Sequence, residues 1–305
     1  MSKHSIGIIG MGWVGSSVAI SILQRGLCQE LLINDVRSEI AEGEAMDLNH
    51  GSSFYPACDV YAADIEEMVH CHAIVVTAGR GGRPEETRLD LLKDNIAIAQ
   101  SISQKLAGFQ GLLIIVANPA DVLTYYYQQF TGLPAHRVIG TGTMLDTARL
   151  REMVGTHFTI DPRSIHAYAI GEHGDSQLVL WSQATIGGLA LRKWPGWEPT
   201  LESDIAEKVR RAAGEIIRRK GATNHAIGLV TATLLKWLLR GERRVIAVSS
   251  VLPPHLGLGE VALSLPSVVS SDGVMEVLKL RMESDEEARL KVSAEVLRTA
   301  IASVR

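Results

Sequence analysis

The chain is poor in cysteine: Cys28, Cys58 and Cys71 are the only three in 305 residues. Their irregular spacing fits no disulfide framework and points to a reducing, cytoplasmic setting. His70-Cys71-His72 has metal-binding residue types, but neighbours on a strand face opposite ways and no second ligand pair lies nearby, so no metal is expected. The chain also lacks a strong charge of either sign. A net charge of -4 and a pI near 6.2 give no general attraction to nucleic acid or anionic membrane. The basic clusters Arg218-Arg219-Lys220 and Arg243-Arg244 end helical patterns, where cations complement the helix dipole. No apolar run approaches membrane-spanning length. The apolar stretch after Lys3 holds four glycines by Gly15 and runs into Gln24-Arg25, so it reads as strand, loop and helix rather than as a secretion signal. Internal repeats and low-complexity linkers are missing too.

What is present is an ordinary globular composition, with 46% hydrophobic and 21% charged residues. The length exceeds a usual single core, so two tightly docked domains are expected, residues 1–140 and 141–305. In the first, apolar runs at 6–9, 31–34, 73–76, 112–117 and 137–139, with a weaker one at 59–61, alternate with helix-period segments at 14–25, 38–48, 89–106 and 120–129. That pattern predicts an α/β fold, a doubly wound parallel sheet of Rossmann type covered on both faces. The second half predicts an α+β substrate domain. It has a helix over 143–154, a strand pair at 164–170 and 178–187, and a long helix over 203–220 stopped by Gly221. A further helix runs from Thr223 to before Gly241, strands follow at 245–252 and 259–269, and a turn-rich link leads to a last helix from Ser284. The Trp194-Pro195-Gly196-Trp197 segment reads as a surface excursion.

Gly10-Met11-Gly12-Trp13-Val14-Gly15 fits G-x-G-x-x-G between a strand and a helix. Glycine there allows a tight turn and the close approach of a pyrophosphate to the helix N-terminus. Asp35, twenty residues after Gly15 at the end of the second strand, has the position of a ribose-binding acid. A carboxylate accepts from a 2′-hydroxyl but repels a 2′-phosphate, so NAD is favoured over NADP. Thr77-Ala78-Gly79 ends another strand at the same edge, where small residues let a cofactor lie against backbone. The polar, glycine-bearing stretch from Arg80 to Arg88 reads as a lid. Asn118, before Pro119, can bond a substrate oxygen or the cofactor amide, or cap the next helix.

Asp146 and Arg149 share a helix face. His173 lies in Ile170-Gly171-Glu172-His173-Gly174-Asp175, poor core material but suited to proton transfer. A buried carboxylate on one ring nitrogen would fix the tautomer and favour the imidazolium. Alternatively, Thr143-x-x-Asp146 is a helix-start pattern, and Asp146–Arg149 a surface ion pair of little worth.

These residues, with Glu44-Ala45-Met46-Asp47-Leu48, Arg83-Pro84-x-Glu86-Thr87-Arg88, Gly142-Thr143-x-Leu145-Asp146-Thr147-Ala148-Arg149 and Lys220-Gly221-Ala222-Thr223, resemble the L-lactate/malate dehydrogenase family over essentially the whole chain, bacterial L-lactate dehydrogenases most closely. The resemblance implies hydride transfer between NAD and an L-2-hydroxy acid. His173 would be the acid/base, oriented by Asp146. Arg149 would clamp the substrate carboxylate, Arg88 would arrive with the lid to polarise the carbonyl, Asn118 would assist, and Ile227 would back the nicotinamide. The lid position that reads the substrate side chain falls on Gly82, where lactate enzymes typically carry glutamine and malate enzymes arginine. Glycine leaves room for a bulkier 2-oxo acid, while neighbouring Arg83 and Arg80 keep malate dehydrogenase open as the alternative. Thr223 matches the lactate branch. Arg151 and His166 match places that form a fructose 1,6-bisphosphate site in allosteric members, against an exposed arginine and a polar strand histidine as the plain reading. The family also implies a homotetramer. A noncatalytic NAD(H)-binding protein is a third reading, which the retained polar set argues against.

Overall fold

The computed structural model describes residues 4–81 and 87–304. Its first half is β1 (Ser5–Ile9), α1 (Trp13–Gln24), β2 (Glu30–Asn34), α2 (Ser38–His50), β3 (Asp59–Ala62), β4 (Ala73–Val76), α3 (Arg88–Lys105), β5 (Leu112–Ile115), α4 (Ala120–Thr131) and β6 (Val138–Gly140). The six strands pair in parallel in the order β3-β2-β1-β4-β5-β6. β4 and β5 are apolar and buried throughout, as strands covered on both faces must be. The order reverses at β1, and a crevice outside the carboxyl ends of β1 and β4 is the ligand position such sheets offer.

The second half comprises α5 (Met144–Phe158), the short strands β7 (Ile165–His166), β8 (Ala169–Ile170), β9 (Leu178–Val179), β10 (Thr185–Ile186) and β11 (Leu189–Ala190), α6 (Thr200–Lys220), α7 (His225–Leu239), β12 (Arg244–Val251), β13 (Ala262–Ser270), β14 (Gly273–Val277) and α8 (Ser284–Ala302). β12, β13 and β14 are antiparallel and continue the first sheet, because Ser249 of β12 pairs with Gly140 of β6. A Cβ at 140 would overlap Thr124 of α4 and Ser249, so glycine is what lets β12 close on this edge. The halves also meet where α1 packs on α7. Gly228 lies against the Ser17 backbone, and Asn224 Nδ2 donates to Ser17 Oγ at 2.8 Å.

Three expectations need correction. The strand pair over 164–170 and 178–187 is broken into two-residue pieces: β7 pairs with β10, β8 with β9, and a 3-10 turn at Trp181–Gln183 interrupts the second run. Gly171, at φ +87°, turns the first run away and pairs its peptide with Ser264 of β13 instead. The link before the last helix contains β14, an edge strand whose Met275 and Glu276 face solvent and break the apolar signal. The 194–197 excursion is part of an aromatic cluster. Trp197 stacks on Phe158 at 5.9 Å and tilts against buried Trp181 at 5.5 Å, so Trp194 and Trp197 are half-buried. The cysteines are free thiols, with Cys28 Sγ and Cys58 Sγ 3.7 Å apart. Cys71 is buried while its neighbour His72 is exposed. No cluster of metal-ligating residues and no helix long and apolar enough to cross a membrane occurs among the described residues.

Candidate active site

The β1–α1 turn is built by contact. Gly10 has φ +98°, and a Cβ at Gly15 would overlap the Gly10 carbonyl oxygen, which the Thr77 hydroxyl also holds at 2.6 Å. Gly12 faces open space, with nothing within 4 Å of where a side chain would start. An open, side-chain-free cradle at a helix N-terminus fits a pyrophosphate. Asp35 Oδ2 accepts from Met11 N–H at 2.9 Å and its Oδ1 from Arg37 N–H at 3.0 Å, so the carboxylate is fixed beside the glycine turn. Trp13 is 59% exposed and Val14 half-buried. Thr77 and Ala78 donate their N–H groups to Ile9 O, which joins the ends of β4 and β1. Gly79 packs against the Asn95 side chain. Ile227 sits in the first turn of α7 and packs, like Val14, on the core under β1. The residues present therefore fit a dinucleotide.

Asp146 and Arg149 lie on α5, one turn apart. Asp146 Oδ2 meets His173 Nδ1 at 2.6 Å, and its Oδ1 accepts from Arg149 Nη1 at 2.9 Å. The side chains are 4%, 12% and 25% exposed for Asp146, Arg149 and His173, so this is no surface ion pair. A buried carboxylate between two cationic groups is costly to desolvate and persists because both oxygens are satisfied. Burial alone would raise the Asp146 carboxyl, but the His173 hydrogen bond and the charges of His173 and Arg149 outweigh it and hold it low. Burial likewise opposes the charged form of His173. The Asp146 bond, with the charges of Asp146 and Asp121, overcomes burial and the repulsion of Arg149, leaving the imidazole above its ordinary value. Thr143 does not cap α5 with its side chain. Its hydroxyl donates instead to Ala169 O at 2.6 Å, which ties the helix start to the strand that delivers the histidine loop.

That loop is held from three sides: Gly171 by β13, Glu172 N–H by Ser293 Oγ at 2.7 Å, and His173 N–H by Asp121 Oδ2 at 2.6 Å. His173 opens onto a hollow shared with Arg80, Leu92, Asn118, Asp121 and Glu172. Asn118 precedes a cis peptide bond to Pro119. Arg80 donates from Nε and Nη2 to Asp94 at 2.8 and 2.6 Å. Two residues of this region carried no sequence signal. Asn95, buried on α3, accepts from Arg80 N–H at 2.9 Å and donates to Arg80 O and Asn118 O, clamping both loops. Asp121, buried on α4, is the second.

Gly82 and Arg83 lie outside the described residues, and of Arg88 only its place at the start of α3 is described. Thr223 is half-buried in the link between α6 and α7, two residues ahead of the helix it was expected to start. Arg151 is not an exposed arginine. Its Nε donates to Ala167 O at 3.1 Å and its guanidinium lies over the Tyr168 ring, 5.3 Å from the centroid. His166 is exposed on β7.

Comparison with known proteins converges on one family. Residues 4–140 match the lactate/malate dehydrogenase NAD binding domain, and residues 143–305 match the alpha/beta C-terminal domain of the same family. An L-lactate dehydrogenase of Fervidobacterium nodosum is 46% identical, and one of Synechococcus sp. (strain JA-3-3Ab) 43% identical, each over 98% of both chains. The ligand-bound crystal structure of a minor L-lactate dehydrogenase from Enterococcus mundtii superposes with a TM-score of 0.96 at 37% identity, covering 100% of this chain and 99% of that one. The chain belongs to the lactate/malate dehydrogenase family.

Proposed function

We propose that this chain is an NAD-dependent L-lactate dehydrogenase, which interconverts a 2-oxo acid and its L-2-hydroxy acid. The observation that carries the reading is the single carboxylate of Asp146 shared by His173 and Arg149. With Nδ1 held by Asp146, His173 has its other ring nitrogen for a substrate oxygen, and the upward shift of its pKa favours the proton-bearing ring. Arg149, fixed at one nitrogen by Asp146, presents its planar fork to the substrate carboxylate, a geometry an ammonium cannot copy. The Gly10–Gly15 turn and Asp35 would hold NADH, which would supply the hydride. As carbonyl oxygen gains negative charge, His173 gives it the proton, and Asn118 and Arg88 are assigned to stabilise that charge. Asn95 supports this by holding the loops that carry Arg80 and Asn118.

Pyruvate is favoured over oxaloacetate on charge. A second carboxylate would need its own cation, and Arg80, the arginine that lines the hollow among the described residues, already holds Asp94. An unpaired buried carboxylate costs several kcal/mol, on the order of a thousandfold in binding. Residues 1–140 are assigned as the cofactor domain and 141–305 as the substrate domain. Exposed Ile20, Ile216, Ile217 and Leu229 on α1, α6 and α7 support assembly with further copies, and a homotetramer is the proposed form. Arg151 and His166 remain assigned to a fructose 1,6-bisphosphate site, and the free thiols agree with the cytoplasm. Steady-state reduction of pyruvate, 2-oxoisocaproate and oxaloacetate by NADH, with and without fructose 1,6-bisphosphate, tests the reading. The highest kcat/KM is expected for pyruvate or the branched acid. A clear preference for oxaloacetate would replace it with malate dehydrogenase.

A further inference from the structure

Asp121 has a place that packing does not explain. It lies in the first turn of α4 and is 2% exposed, in the same hollow as His173. One oxygen accepts the His173 N–H at 2.6 Å. The other, Oδ1, is buried beside the Ser249 hydroxyl of β12. A carboxylate this deeply buried is expensive and calls for a compensating role.

We propose that Asp121 is a positioning residue for His173, fixing its main chain through the N–H and setting a second negative charge beside the ring that donates the proton. The proposal rests on the dehydrogenase reading above. Asp146 grips the ring from α5 and Asp121 grips the backbone from α4, so the histidine is held between two helices by two carboxylates. Among the described residues, the groups that face the pair are few. The histidine loop contributes Glu172, α5 contributes Arg149, the loop after β4 contributes Arg80, and β12 contributes Ser249. α3 and α8 present apolar Leu92 and Leu297 there. Burial pushes the Asp121 carboxyl up to about 6, and Glu172 adds to the rise, against the pull of Ser249, the His173 N–H and the His173 charge. Asp121 is therefore ionised at neutral pH, and its charge favours the His173 imidazolium.

Two variants separate backbone grip from charge. Asp121→Asn keeps an oxygen for the N–H and removes the charge; Asp121→Leu removes both at similar volume. The pH dependence of pyruvate reduction and an NMR titration of the His173 ring are the readouts, with NADH affinity as the check on folding. For Asp121→Asn, the His173 titration and the alkaline limb of kcat/KM are expected to move to lower pH. For Asp121→Leu, kcat/KM is expected to fall on the order of a hundredfold with NADH affinity retained, as when a general acid is misplaced. An unmoved His173 titration in Asp121→Asn would overturn the proposal. The NMR titration needs no turnover, so a wild type that fails to reduce pyruvate would count against the substrate reading alone.

Discussion

At the scale of single residues, the site is a competition between burial and pairing that pairing wins. Burial alone pushes the Asp146 carboxyl up and the His173 imidazole down; their pairing shifts each the other way. The spacing of Asp146 and Arg149 is also that of a surface ion pair; their burial excludes that reading and fixes one end of the guanidinium fork. Arg149→Lys retains the charge but loses the planar pair of donors. We expect kcat/KM for pyruvate to fall roughly a hundredfold or more, chiefly through KM, with NADH binding intact. A loss under threefold would remove Arg149 from the clamp. That His173, Asp146 and Arg149 meet was legible because residue type and spacing suggested the contact. Asn95 and Asp121 were not, since a polar residue within a helix reveals nothing of the partner that tertiary packing brings to it.

At the scale of elements, strong signals came from long apolar strands and from breakers. The G-x-G-x-x-G turn was readable because its glycines answer backbone contacts, and Gly15 shows this most directly. Gly15→Ala forces a methyl into the Gly10 carbonyl and opens the turn. Weakening of NADH binding by tenfold or more is expected, measured by fluorescence titration, with wild-type affinity as the contrary result. The ladder fragments β7 to β11 were misread as two longer strands because nothing in the run 178–187 marks Trp181–Gln183, where the backbone turns in a 3-10 helix. β14 escaped because an edge strand with one wet face carries little hydrophobic contrast. Trp194 and Trp197 were assigned to the surface on the turn residues between them, although their partners Phe158 and Trp181 lie far off in sequence.

At the scale of the whole molecule, two halves of different style are joined by one continuous nine-stranded sheet and by α1 packed on α7. Neither junction was legible, because each depends on a small residue at a crossing, Gly140 against Ser249 and Gly228 against Ser17. Their consequence is functional. The glycine turn of the first half and the Asp146–His173 pair of the second are fixed relative to one another through shared backbone rather than through a hinge. The account stands on His173 as the proton donor at that junction, and the pH dependence of kcat/KM for pyruvate reduction in wild type and His173→Asn tests it most directly. The wild type is expected to hold a plateau at low pH and to fall through a limb alkaline of the ordinary imidazole value of 6.5, because the raised His173 must be protonated to react. His173→Asn is expected to lose a hundredfold or more of the rate, on the order a general acid contributes, and the limb with it. The same limb surviving in the variant would mean that another group gives the proton.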